Sequence, residues 1–428
     1  MTATPATDPA HSGEPSAAPT DPPVDISALV PPVRLWEDGF ATDPHRYYEE
    51  LRSHGPVGWC ELAPGVAAYL VTGHRAALDL LQNPEIWSHD PRPWETTVPG
   101  DPPVLGMMRW RPNTLFADGE AHLRYRRTLV DAFSLVEPHD LRERVRRAVE
   151  ILVCRFGPKG RADLVSDFCR PLMAIVFNDL FGLPMCESER LDAALALLIE
   201  GGERAAAGER DYFRYVAELI DTKTAKRGKD LTSWLLDHPL RLTPEEVTWQ
   251  VFLTLGTGHE PVANLVSNAL SRILGNPDYY QTLTRGARPV MEAVTEVLRY
   301  EPPLANYAIY YSRRTFGFHG TWVRSAVPVA ISFGALAYFA EKEYEGGHHP
   351  RDASHVTWGA GPHVCPVKQH TLLIAIEAIE RLTQWLPDLD PVLPRERLSW
   401  RPGPFHRSLT ALPVRFTPRT PEPSGERP

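Results

Sequence analysis

Cysteine is scarce and scattered in this 428-residue chain. The five residues Cys60, Cys154, Cys169, Cys186 and Cys365 include no CxxC pair and no His/Cys spacing suited to zinc. An odd, dispersed set argues against a disulfide framework and suits a reducing compartment. Basic runs are missing too: Lys plus Arg total 45 against 54 Asp plus Glu, a net charge of −9. With no basic stretch to release counterions, nucleic-acid binding is disfavoured. There is no apolar run of about 18 residues and no charged n-region followed by an apolar h-region, so neither a membrane span nor a signal peptide is expected. The expectation is a cytoplasmic protein, with a monomer as the simplest state.

What is present is ample material for a core, with 43% hydrophobic and 23% charged residues. Residues 1–32 are rich in Pro, Ala, Thr and Ser and read as a disordered arm, and 417–428 read as a flexible tail. Between them, 33–416 show no linker or repeat and are expected to form a single large domain. Helical periodicity predicts helices over 44–53, 119–134, 138–156, 163–182, 187–202, 209–226, 244–274, 289–300 and 367–385. Strand-like patterns occupy 57–72, parts of 306–331, and 409–416. The fold class is mainly α with a small β portion.

The segment 244–274 carries the most information. Thr243-Pro244-Glu245-Glu246 forms a capping box with proline at the first helical position, and Gly275-Asn276-Pro277 stops the helix. Its centre nevertheless reads TLGTGHEPV, where Gly256, Gly258 and Pro261 are the poorest interior helix residues. Pro261 cannot donate to the Thr257 carbonyl. Such a helix either carries a simple packing kink or opens a groove for something small.

In WGAGPHVCP, residues 358–366, Gly359 and Gly361 permit a tight turn before Cys365, and an apolar-periodic helix begins just after Pro366. A helix start favours the thiolate, with Trp358 and His363 beside it. The chemistry alone admits a nucleophile or a metal ligand. A second pattern, Glu296-Val297-Leu298-Arg299, places carboxylate and guanidinium on one helix face, able to pair.

Together these motifs resemble the cytochrome P450 family. TWGAGPHVCP is similar to its heme-binding segment, Phe/Trp-Gly-x-Gly-x-His/Arg-x-Cys. Glu296-x-x-Arg299 followed by Tyr300-Glu301-Pro302-Pro303 resembles its Glu-x-x-Arg helix, TLGTGHEPV its oxygen-side helix, and DGEAHLRYRRTLVDAFS (118–134) its propionate-contacting helix. The likeness runs from DPHRYYEELRSHGPV near the start to LTALPVRF near the end, roughly residues 35–416. It implies the cytochrome P450 fold, heme b as cofactor, and Cys365 as the thiolate on iron, which favours O–O cleavage. It further implies that His363, His122 and Arg126 contact the heme propionates, with Trp358, Gly359 and Gly361 shaping the heme loop. Glu296 and Arg299 become a structural pair. Glu260 becomes the proton-relaying acid, with Thr257 as an auxiliary hydroxyl and Gly256 and Gly258 leaving room for dioxygen.

Three departures matter. Pro261 stands where the family commonly has a threonine, so proton delivery falls to Glu260, Thr257, water or the substrate. Pro366 and Val367 follow the cysteine, removing one amide beside the sulfur and predicting a more electron-rich thiolate. Tyr310 stands where a propionate-binding Arg is common, with Arg313 or Arg314 as candidate replacements; the segment AEKEYEGGHHPRD lacks the usual aromatic lead-in. The resemblance implies a soluble bacterial enzyme oxidising a natural product with electrons from an external ferredoxin-type partner. Lys368, Arg124 and Arg127 are the candidate docking charges. The loop 88–116, helices 187–226 and residues 304–311 are the candidate substrate regions. Two other readings stay open: oxidative crosslinking of Tyr, Trp or His side chains in a peptide, and a heme-binding relative with little turnover.

Overall fold

The computed structural model describes residues 22–98, 100, 102, 105–200, 204–343 and 355–419. Most anticipated helices stand where capping and periodicity put them: α1 (Gly119–Ser134), α2 (Pro138–Phe156), α3 (Arg170–Phe181), α4 (Ser188–Glu200), α5 (Ala205–Ala225), α6 (Pro244–Leu274), α7 (Val290–Tyr300) and α8 (Lys368–Trp385). The segment expected as one helix over 163–182 is divided. A π-helical turn, Leu164–Cys169, precedes α3, because Pro171 supplies no amide and the hydrogen-bond ladder must restart around it. Helices at His74–Gln82, Leu231–Leu236, Pro277–Thr284 and Phe333–Glu343 were not anticipated from the sequence.

A six-stranded mixed sheet stands beside the helices. Its strands are β1 (Val33–Arg34), β2 (Val57–Ala63), β3 (Val66–Val71), β4 (Trp87–Ser88), β5 (Ile309–Ser312) and β6 (Pro328–Ile331), in the spatial order β1-β2-β3-β6-β5-β4. Side chains alternate between faces, so Cys60, Leu70, Tyr311 and Ala330 join one apolar cluster while Trp59, Tyr69, Tyr310 and Val329 join another. The largest cluster lies among the helices, with α6 running through it: Val251, Leu255, Val266, Ala269 and Leu270 are all buried. Expectations of a mainly α chain with a small β portion agree with these elements.

The arm and the tail are ordered where they are described. Asp25 caps the short helix Ile26–Leu29, Ile26 is buried, and Val24 pairs with Thr321 through backbone bonds to Gly320 and Trp322. At the other end Thr417 N donates to Asp388 and Arg419 N to the Gly157 carbonyl, both at or near hydrogen-bond optimum, 2.9 and 3.1 Å. Composition alone therefore overextended the disordered arm of 1–32 and the tail of 417–428. Residues 1–21 and 420–428, and 344–352 of AEKEYEGGHHPRD, lie outside the described residues.

The capping box of α6 forms as expected. Thr243 accepts from Glu246 N and the Glu246 carboxylate accepts from Thr243 N. Glu246 also binds Arg124 and the Tyr125 hydroxyl, fastening α6 to α1. Thr243→Ala is expected to lower stability by about 1 kcal/mol. Denaturant unfolding checks this as a shifted midpoint with an unchanged slope.

Candidate active site

The loop before α8 is set by backbone geometry. Cys365 N donates to the Trp358 carbonyl at 2.8 Å, Gly359 N to Val356, and Val364 N to Gly361. Gly359 and Gly361 have φ of 74° and 69°, in the left-handed region. A Cβ at Gly361 would lie 2.2 Å from the Leu81 carbonyl oxygen, whereas one at Gly359 meets nothing closer than 3.6 Å. Thr357 Oγ1 bonds the Leu298 carbonyl of α7 and Arg126 Nη2 bonds the Val364 carbonyl, so the loop is held from two helices. Burial pushes the Cys365 thiol up, with the Val367 amide, Arg126 and Lys368 acting against it. Thus the amide two positions on still reaches the sulfur, although Pro366 supplies none.

Beside the loop three imidazoles form a stack. The ring of His363 lies 3.8 Å from that of His89 and 3.9 Å from that of His122. Burial drives all three toward the neutral form, to about 4 for His89 and His122. The Nε2 atoms of His89 and His122 are buried without a partner. Arg126 and His122 share a face of α1 four residues apart. Arg313, one candidate for the charge missing at Tyr310, instead pairs with Asp118 at 3.0 Å, and neither it nor Arg314 lines the cavity described below. Tyr310 itself is buried with its ring 4.0 Å from that of His89. Sequence reasoning missed His89, because its place depends on pairing of β4 with β5, a non-local register.

The centre of α6 forms another wall. Thr254 and Thr257 hydroxyls donate to the Gln250 and Leu253 carbonyls one turn back, so neither hydroxyl proton is free. Tyr212 inserts its hydroxyl at the Phe252 carbonyl, near Gly256, and Gly258 lies where a Cβ would meet the Phe177 ring at 2.5 Å. Glu260 does not line the cavity. It is buried in an ion pair with Arg401, accepts from Asn264 Nδ2, and has His406 and His259 nearby. Burial alone would raise its pKa, but Arg401, His406 and His259 hold it near 2. The expected relay acid is therefore turned toward the C-terminal segment. Glu296 lies 3.6 Å from both Arg272 and Arg288, and Arg299 lies against the Tyr300 ring.

Cys365, Trp358, Gly359, His363, Arg126 and Thr257 line one cavity of about 310 Å³, together with Pro261 and a predominantly apolar wall. His122 and Gly361 stand just behind this lining. One half-buried sulfur, flat apolar surfaces, and orphaned ring nitrogens gathered beside an arginine fit a planar apolar cofactor that carries carboxylates.

No family model matches the chain. Curated relatives align along almost all of it. Cytochrome P450 107B1 of Saccharopolyspora erythraea is 29% identical, covering 90% of this chain and 98% of the relative. Cytochrome P450 monooxygenase PikC of Streptomyces venezuelae is 29% identical, covering 88% and 92%. Among solved structures, CYP154C4 of a Streptomyces species superposes with a TM-score of 0.82 at 25% identity, over 91% of this chain and 99% of that one. With full-length coverage, this fold, and a cysteine loop at the expected place, the chain belongs to the cytochrome P450 family, bacterial oxidoreductases of the heme-thiolate type that bind heme b. No helix among the described residues is long and apolar enough to cross a membrane.

Two outcomes follow from the geometry. Gly359→Ala meets only the left-handed backbone cost of about 1–2 kcal/mol, whereas Gly361→Ala adds a clash with Leu81; thermal unfolding should rank wild type above Gly359→Ala above Gly361→Ala. Arg401→Met strands the buried Glu260 carboxylate and should cost about 3–5 kcal/mol at neutral pH. Because Glu260 sits near 2 when folded and about 4.3 when unfolded, the pair stabilises fully above the unfolded value and fades as pH falls through the folded one. Denaturant unfolding of Arg401→Met should therefore differ most from wild type at neutral pH and converge in acid. The double variant with Glu260→Gln should recover most of the loss.

Proposed function

We propose that Cys365 ligates heme iron and that the chain oxidises a natural-product substrate with O₂ and electrons from a ferredoxin-type donor. The observation that carries this reading is the half-buried Cys365 sulfur, held by the Trp358–Cys365 backbone bond in a cavity it shares with the α6 groove. When bound, the heme supplies O₂ activation, with the thiolate favouring O–O cleavage. The chain's own residues do the rest. His363, His122 and Arg126 take the carboxylates, Trp358 presents a flat face, and the apolar walls around Leu115, Leu253 and Val262 exclude water. Relatives that include a vitamin D(3) 25-hydroxylase and a pentalenic acid synthase support a natural-product or comparable small-molecule substrate. Electron delivery from outside is supported by the exposed Lys368 next to the cysteine loop; Arg124 and Arg127 are already engaged by Glu246 and Asp131.

Oxidative aryl coupling in a peptide is the second reading. Pro261 carries no hydroxyl, the Thr254 and Thr257 protons are committed to backbone, and Glu260 is tied to Arg401. Coupling asks less of such a groove, because substrate O–H or N–H groups supply the protons and no oxygen atom is inserted. The reduced CO spectrum of the wild type should show a thiolate-type band, absent in Cys365→Ala; a band that survives the substitution overturns the ligand assignment. Turnover with a surrogate ferredoxin and its reductase separates the two reactions by product mass: gain of one oxygen atom for insertion, loss of two hydrogens for coupling.

A further inference from the structure

We propose that His89 is a carboxylate-binding residue of the cofactor site, standing in for the arginine that Tyr310 displaces. The inference rests on the heme reading above but names a residue that no family motif marks. His89 is 4% exposed, its ring lines the same cavity as Cys365, and its Nε2 is buried without a partner. An orphaned buried donor-acceptor site costs free energy, so a group that satisfies it is favoured.

The placement is built, not incidental. Ser88 pairs with Tyr311 in the register of β4 against β5, which brings His89 alongside Tyr310. Asp118, at the start of α1, then fixes this edge: it accepts from Ser88 Oγ, from His89 N at 3.1 Å and from Arg313 at 3.0 Å. Arg313 is thereby drawn out of the cavity by the carboxylate that holds His89 in it. The Ile309 carbonyl lies against the ring, and His363 stacks on it with His122 beyond.

Chemistry favours an anion as the occupant. The surrounding groups that face His89 are two more imidazoles, Arg126 behind them, and the Tyr310 phenol, so donors converge there. Asp118 is spent on the backbone amide, the serine and Arg313. With one ring nitrogen at the Ile309 carbonyl, donation from Nε2 takes a second proton, so a bound carboxylate would draw the ring, neutral by burial in its absence, toward the imidazolium and complement it by charge as well as by hydrogen bonding. A tyrosine at 310 fits this arrangement: its ring packs on the imidazole where an arginine side chain would occupy the same space and repel it.

Heme transfer from the purified holoprotein to apomyoglobin tests this without recourse to turnover. His89→Ala and His89→Phe should both release heme roughly tenfold faster than wild type, the effect of one charge-assisted hydrogen bond. The phenylalanine keeps the ring packing and removes only the nitrogens, so wild-type retention by His89→Phe would overturn the proposal and leave His89 a packing residue. Adding Tyr310→Arg to His89→Ala should restore slow release; a double variant no better than the single would also count against it. The same samples report on the parent reading. A wild type without a thiolate-type CO band would overturn heme-thiolate ligation and this assignment together, whereas faster release from variants that keep the band supports both.

Discussion

A single backbone hydrogen bond, from the Cys365 amide to the Trp358 carbonyl, fixes the relation between the sulfur and everything around it. It closes a loop whose two glycines adopt left-handed angles, one of them pressed against the Leu81 carbonyl where no side chain fits. The loop cannot drift along the start of α8, because Thr357 binds it to α7 and Arg126 to α1. Three helices of different origin thus agree on the position of one atom. This is the kind of over-determination that precise ligation requires, since outer contacts orient the ligand and tune it.

Opposing demands meet in α6. As the longest helix it organises the largest apolar cluster, and its first turn is tied to α1 through Glu246. At its centre stand poor helix formers, while Thr254 and Thr257 commit their hydroxyls to the carbonyls one turn back. The ionisable groups there, His259 and Glu260, face packed protein rather than the cavity, and Arg401 compensates the carboxylate from the C-terminal segment. Stability and chemistry have been assigned to different faces of the same turn.

Much of this was legible in the sequence because it is local. Periodicity bounded α1 and α2, and a capping box and a Gly-Asn-Pro stop bounded α6, to the residue, and two glycines before a lone cysteine announced a constrained thiol. What stayed hidden is non-local. Residues 259 to 261 are consecutive, so three side chains fan around the helix and no pattern says which one meets the cavity. Arg313 and Arg314 look equivalent until the sheet places one beside Asp118. His89 gains meaning only through the register of two strands more than two hundred residues apart. The arm shows the reverse error: a Pro- and Ala-rich composition says little when Val24 and Ile26 find a strand edge and an apolar face to join.

Pro261 has a consequence on the acceptor side of the ladder. Without its amide, the Thr257 carbonyl is released from the helical hydrogen bond it would otherwise receive, at a residue that lines the cavity. The usual threonine offers this groove a proton, whereas Pro261 adds only an apolar ring to its lining. A hydrogen needed there would come with water or with the bound molecule itself.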